Sequence, residues 1–331
     1  MLLVSIRNVK SVIGRETAFP LRVYNDEVTD PISVELSAVV LTVVDNQPRV
    51  LALDHEGTVR LPSDRLRSTR DQTLEFGARR LLRRQVGLDP AWLEQLYTFG
   101  DRRRNFWPRS PDRTITVAYL ALVRHDLRAP AGRWLSCYDF FPWEDQRAEN
   151  DAMRPVHEGL QVWEKRARAD STRLDRAERI DRCLGLGKAG WTADLVLERY
   201  ELIYEAGLVA ESWHDRGSDA SPGRVLESSC MALDHRRILA TALGRMRGKL
   251  RYRPLVFELM PEEFTLYELQ QVIEAIAGRS LHKQNFRRLV ANQRLVEPTG
   301  VSKAGTGGRP ARLYRFRPEV LGERRAAGVL S

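Results

Sequence analysis

Cysteine is scarce in this sequence: three residues in 331, Cys137, Cys183 and Cys230, far apart and at no metal-ligand spacing. No metal site is expected from them, and buried thiols in a reducing, cytoplasmic setting are the expectation. The six histidines are scattered as well, and no two of them form a His-rich pair. No run of about 18 apolar residues occurs, so no membrane span is expected. The opening stretch, MLLVSIRNVKSVIGRETAFPL, is interrupted by charge too early for a secretory signal. Internal repeats and long low-complexity tracts are absent from the sequence.

Positive charge is present in excess, and it is unevenly placed. The formal net charge is +9, and residues 235–317 hold 17 Lys and Arg against 6 Asp and Glu, a net of +11. Residues 1–234 are left with a net of −2. A basic carboxyl-terminal quarter suits a polyanionic partner, though charge alone fits a solvated basic face equally well.

Hydrophobic periodicity divides the chain. VELSAVVLTVV and PRVLALDH, within residues 34–61, read as strands with Asn46, Gln47 and Pro48 at the turn between them. A helix is predicted from about Asp71 to Val86, stopped by Gly87, and TITVAYLALV (114–123) reads as a buried strand. Residues 145–215 turn helical, most clearly in TADLVLERYELIYEAGLV, and the turn-rich RGSDASPG (216–223) reads as a linker. From about His235 to Leu250 a longer helix carries the stripe Ile238, Leu239, Ala242, Leu243, Met246 and Leu250 beside five basic residues. Such a stripe serves a domain core or a dimer seam.

After Pro261 three features follow in order. FTLYE holds a capping box, with the Thr265 hydroxyl toward the amide three residues on and Glu268 reaching back, and Gly278 ends the helix. HKQNFRRLVANQR forms a second helix, with Phe286, Leu289 and Val290 on one side and Lys283, Gln284, Arg287 and Arg288 on the other. LVEPTG and ARLYRF are two short strands joined by the basic, flexible VSKAGTGGRP. Helix, turn, basic helix and basic hairpin describe a winged helix-turn-helix. Lys283, Gln284, Asn285, Arg287 and Arg288 would face base edges in a major groove of double-stranded DNA. Lys303, Arg309 and Arg312 on the wing, with Thr265 at the start of the first helix, complete the expected contacts.

FTLYELQQVIEAIAGRSLHKQNFRRLVANQRLVEPTG followed by GGRPARLYRF resembles the carboxyl-terminal domain of the NrtR-like, Nudix-related transcription regulators, and LDHRRILATALGRMRGKLRYRPLVFELMP resembles the stretch leading into it. LPSDRL, RRLLRRQVGL and LEQLYTFGD preceding VAYLALV are similar to the Nudix half of that family. Residues 143–229 exceed the short members and resemble a longer subgroup of regulators of NAD metabolism. The resemblance implies an α+β multidomain chain: a Nudix-like α/β sandwich over residues 1–142 that senses the effector, a helical insert and linker over 143–229, and a winged-helix domain with a dimerisation helix over 230–331. It also implies a homodimer that responds to ADP-ribose or a related nucleotide, with Arg104, Asn105 and Arg113 in the loop lining that pocket.

A working Nudix box ends in R-E-x-x-E-E-x-G, whose glutamates hold divalent cations on a pyrophosphate. Here Arg80 is followed by Leu81, and Arg84 and Gln85 stand where the glutamate pair would be, while Ser63 and Asp64 replace the glycines of LPGG. The expectation is therefore a regulator without catalytic residues, metal or cofactor. An active hydrolase of nucleoside-diphosphate-linked substrates is the alternative, and a metabolite-binding adaptor a third.

Overall fold

In the computed structural model the described residues are 32–55, 57–101, 113–124, 131–148, 151–188, 190–218, 225–250, 255–303 and 310–317. A mixed sheet organises the amino-terminal part. β1 (Ile32–Val44) pairs antiparallel with β2 (Gln47–His55), which pairs on its far side with β3 (Thr58–Arg60). The two-residue turn is Asp45–Asn46, both with positive φ, so Gln47 and Pro48 already belong to β2 rather than to the turn. β4 (Ser63–Arg65) joins the start of β1, β5 (Trp92–Phe99) pairs with β6 (Arg113–Leu122), and β7 (Arg133–Ser136) pairs with β2. β1 and β6 run parallel through the centre, giving the order β3-β2-β1-β6-β5.

Alternation along β1 explains the layers. Leu36, Ala38 and Val40 point to one face, where α1 (Leu74–Val86) covers them with Ala78, Leu81 and Leu82. Val39, Leu41 and Val43 point to the other face, into a larger core shared with helices from later in the chain. A strand buried on both faces reads as a nearly continuous apolar run, as VVLTVV does with Thr42 its one polar residue. The α1 helix begins at Leu74 rather than Asp71, because Thr73 caps it by accepting from the Phe76 N–H at 3.0 Å.

The second layer is helical: α2 (Cys137–Phe140), a 3₁₀ turn (Pro142–Glu144), α3 (Met153–Lys165), α4 (Asp170–Leu184), α5 (Val196–Glu205), α6 (Glu211–His214) and α7 (His235–Lys249). The stripe expected on α7 to serve a core or a dimer seam is packed inside this chain. Ile238, Leu239, Ala242, Leu243 and Met246 are buried with Tyr200, Leu202 and the sheet residues Leu120 and Leu122. Arg245 is the one exposed residue of α7.

The last part is a small separate core of Val256, Met260, Phe264, Leu269, Phe286 and Val290. Around it stand β8 (Phe264–Thr265), α8 (Leu266–Ala277), α9 (Lys283–Gln293), β9 (Val296–Lys303) and β10 (Ala311–Phe316), with a three-stranded sheet ordered β8-β10-β9. The described residues cluster as one compact unit.

Candidate nucleic-acid interface

The capping box at the start of α8 is formed as expected. Glu268 N–H donates to the Thr265 hydroxyl at 3.1 Å, and the Thr265 N–H donates to the Glu268 carboxylate at 2.7 Å. Lys303 on β9 pairs with the same carboxylate at 2.8 Å. Burial alone would raise the Glu268 carboxyl, but the Lys303 ammonium and the two Thr265 donors outweigh it and hold it below the usual range. Helix start and hairpin are thereby tied at one side chain. Thr265 is buried with its hydroxyl engaged, so the structure places it as a helix cap rather than as a surface contact. Lys303 is exposed but ion-paired.

Two apolar side chains, Phe286 and Val290, anchor α9. Leu289, expected beside them, lies instead on the surface at 54% exposure. It stands three residues after Phe286, roughly 60° round the helix from it at 100° per residue, where the small core no longer reaches. Lys283, Gln284, Asn285, Arg287 and Arg288 are all exposed. Arg288 reaches toward the Asn285 side-chain oxygen at 3.4 Å. Arg312 is exposed on β10 opposite Ser302, and Arg309 lies outside the described residues.

The basic excess is divided by the fold in a way its position in the chain does not reveal. Every basic residue of α7 meets an acid from earlier in the chain: Arg236 with Glu211 at 3.0 Å, Arg237 with Glu201 at 2.7 Å, Arg245 with Glu94 at 3.9 Å, Arg247 with Glu144, and Lys249 with Glu94. Arg236 and Arg247 are fully buried. The α7 charges therefore serve internal cohesion, whereas Lys283, Arg287 and Arg288 on α9 and Arg312 on β10 are exposed and make no ion pair among the described residues.

How this unit is held decides what it can do. A helix leaves its last carbonyls without internal partners. For α8 the rest of the chain supplies them. Tyr138 OH donates to the Ala275 carbonyl at 2.5 Å, Arg247 Nε to Ile276 at 2.8 Å, and Gln146 N–H to Gly278 at 2.7 Å. Ser280 returns a bond, its hydroxyl donating to the Arg147 carbonyl at 2.9 Å. The turn between the two helices is thus seated on residues 138–147, and a cation stands at the negative end of α8.

In the amino-terminal half stand the residues that the sequence reads as an altered Nudix box. Leu81 is in the core, Arg84 is exposed within 3.8 Å of Asp64, and the Gln85 side chain bonds both the N–H and the carbonyl of Ser63. Arg80 is held by Asp71 at 2.7 Å and Asp64 at 2.8 Å. His235, the first residue of α7, reaches the same corner: Leu61 N–H donates to its Nδ1 at 3.0 Å, and its Nε2 lies 3.2 Å from the Ser63 hydroxyl. Burial, then the Arg60 charge, push this imidazole down to about 3. It is neutral, with the proton on Nε2. Arg113 begins β6, exposed and donating to the Gly100 carbonyl at 3.4 Å, while Arg104 and Asn105 lie outside the described residues.

Comparison with known proteins agrees with this geometry. Residues 256–316 match the NrtR DNA-binding winged helix domain. Over 86 residues the chain is 46% identical to the ADPR responsive transcriptional repressor NtrR of Acinetobacter baylyi, covering 26% of this chain and 34% of that protein. The match thus spans about a third of that curated relative's length. Among solved structures, Shewanella oneidensis NrtR complexed with a 27mer DNA is similar over 87% of this chain and 95% of that one, at 21% identity and a TM-score of 0.51. A further crystal structure of Shewanella oneidensis NrtR gives 21% identity over the same shares, with a TM-score of 0.49. The likeness shows the fold: an α+β chain with a Nudix-like sandwich and a carboxyl-terminal winged helix. Among the described residues, no helix is long and apolar enough to cross a membrane.

Proposed function

We propose, from a carboxyl-terminal domain of the NrtR DNA-binding winged-helix type, that this protein is a ligand-responsive transcription regulator. The observation that carries the reading is α9: five polar or basic side chains exposed on a helix anchored by only Phe286 and Val290. Lys283, Gln284, Asn285, Arg287 and Arg288 would read base edges and phosphates in the major groove, with Arg312 and Arg309 following the backbone from the hairpin. Lys303 would join them only by leaving Glu268.

The Nudix-like half would bind the effector, a nucleotide such as ADP-ribose, with Arg104, Asn105 and Arg113 at the pocket. The Acinetobacter relative is described as ADPR responsive, which supports that class. Leu81, Arg84 and Gln85 offer neither the carboxylates nor the charge that Mg²⁺ requires, so we read the sandwich as a sensor without hydrolysis. The domain boundaries of this reading are 142/143 and 229/230. A homodimer in the cytoplasm, whose winged helices meet half-sites about 34 Å apart, completes it. Effector binding would shift the balance between DNA-competent and incompetent arrangements.

Anisotropy titration of the full chain on promoter DNA, with and without ADP-ribose, tests the proposal. Saturable binding that ADP-ribose alters supports it, and no binding at low salt overturns it. Mg²⁺-dependent cleavage of ADP-ribose would overturn the non-catalytic sensor.

A further inference from the structure

The helical insert carries a groove of about 1080 Å³ along one face of α3. Glu158, Val162, Trp163 and Arg166 recur there at helical spacing. Leu208, Trp213 and Arg216 line the other side, and Pro142 and Trp143 contribute from the 3₁₀ turn. Its size suits a small ligand. None of these residues belongs to the effector pocket proposed above.

Two Trp-x-x-Arg pairs bring an indole and a guanidinium to the groove together: Trp163 with Arg166 and Trp213 with Arg216. Both indoles are held in place. Arg176 stacks on Trp163 with its guanidinium 4.1 Å from the ring centroid and donates to the Trp163 carbonyl at 2.6 Å. The Trp213 N–H donates to the Gly207 carbonyl at 2.8 Å. Trp143 differs: it is 1% exposed, and its N–H has no hydrogen-bond partner among the described residues. A buried donor left unmade is costly.

Charge narrows the class. Among the other lining residues, Arg154 pairs with Asp151 at 3.7 Å, and Glu205 is held by Arg179 at 2.8 Å. Arg166 and Arg216 make no ion pair among the described residues, nor do Glu158 and Glu227. Along α3, Glu158 and Arg166 are eight residues apart, about 12 Å. A flat ring with a donor at one end and an oxyanion at the other matches that layout.

We propose that this groove is a second ligand site, taking a purine-type nucleotide. The ring lies against the indoles of Trp163 and Trp213, its exocyclic amine donates to Glu158, and its phosphate is held by Arg166 and Arg216. Aromatic stacking and bidentate guanidinium contacts are the chemistry used.

The test is intrinsic tryptophan fluorescence and calorimetry of the full chain with AMP, and with adenosine as the probe lacking phosphate. Saturable one-to-one AMP binding is expected, with adenosine at least tenfold weaker. Arg166→Glu combined with Arg216→Glu, both exposed, lowers AMP affinity at least tenfold with an unchanged melting curve. Val162→Arg, which fills the groove from an exposed position, does the same. Absence of AMP binding at millimolar concentration overturns the proposal. So does AMP binding that both variants leave intact, or adenosine binding as tightly as AMP. DNA binding is not the readout, so these outcomes leave the regulator reading to its own test.

Discussion

Arg247 and Glu144 form an ion pair with both side chains withdrawn from solvent, joining α7 to the 3₁₀ turn that follows the sheet. Arg199 from α5 approaches the same carboxylate at 2.6 Å. Arg247 also donates to the last turn of α8. One buried carboxylate therefore ties the 3₁₀ turn to α5 and α7, and through Arg247 to the end of α8.

Removing that carboxylate leaves two buried guanidiniums without a counter-charge. Breaking a buried pair from one side costs about 3–5 kcal/mol. Glu144→Gln is expected to lower the melting temperature steeply in calorimetry, and a loss within a degree or two would show that solvent reaches the site.

Gly278 tests the seating of the turn. Its φ is +65°, and a Cβ there would stand 2.3 Å from the Glu144 carbonyl oxygen and 2.6 Å from an Arg247 nitrogen. The left-handed backbone alone penalises a side chain by about 1–2 kcal/mol. Gly278→Ala is expected to cost more than that in denaturant unfolding, since the nearer contact is backbone. A smaller loss would mean the turn lifts off residues 138–147 without penalty.

Thr265 separates capping from DNA contact. Thr265→Ala should lower stability by about 1 kcal/mol through the lost cap. Its DNA affinity at fixed fraction folded should match that of the unmodified chain, because the hydroxyl is buried against Glu268. A selective loss of DNA affinity would return Thr265 to the contacts.

His235 gives stability a pH signature. With its folded value near 3 and the unfolded value near 6.5, the unfolded chain binds the extra proton between those limits. Stability from this group is therefore intact above about pH 6.5 and falls on acidification, by about 1.4 kcal/mol per pH unit toward pH 3. His235→Gln should flatten that part of the stability–pH curve measured by urea unfolding. An unchanged slope would assign the acid sensitivity elsewhere.

Much of this was legible in the residues. The capping box, Gly278 as the helix stop and the strand alternation of β1 are local signals, set by neighbours three or two positions away. What was hidden depends on partners far along the chain. Arg236 and Arg247 look like a polyanion footprint until Glu211 and Glu144 arrive from other elements. Leu289 reads as core by spacing, yet a six-residue core is too small to cover it. The seating of α8 on residues 138–147 rests on backbone carbonyls, which no side-chain pattern encodes.

The most direct test of the account is the salt dependence of DNA binding by the full chain, compared with Arg287→Ala and Arg288→Ala. The account predicts a steep fall of affinity with salt. It also predicts about 1–3 kcal/mol lost where an arginine reads a base, or a salt slope shallower by about one where it meets phosphate. Affinity and slope unchanged in both variants would contradict it, because the exposed face of α9 would then not touch the duplex.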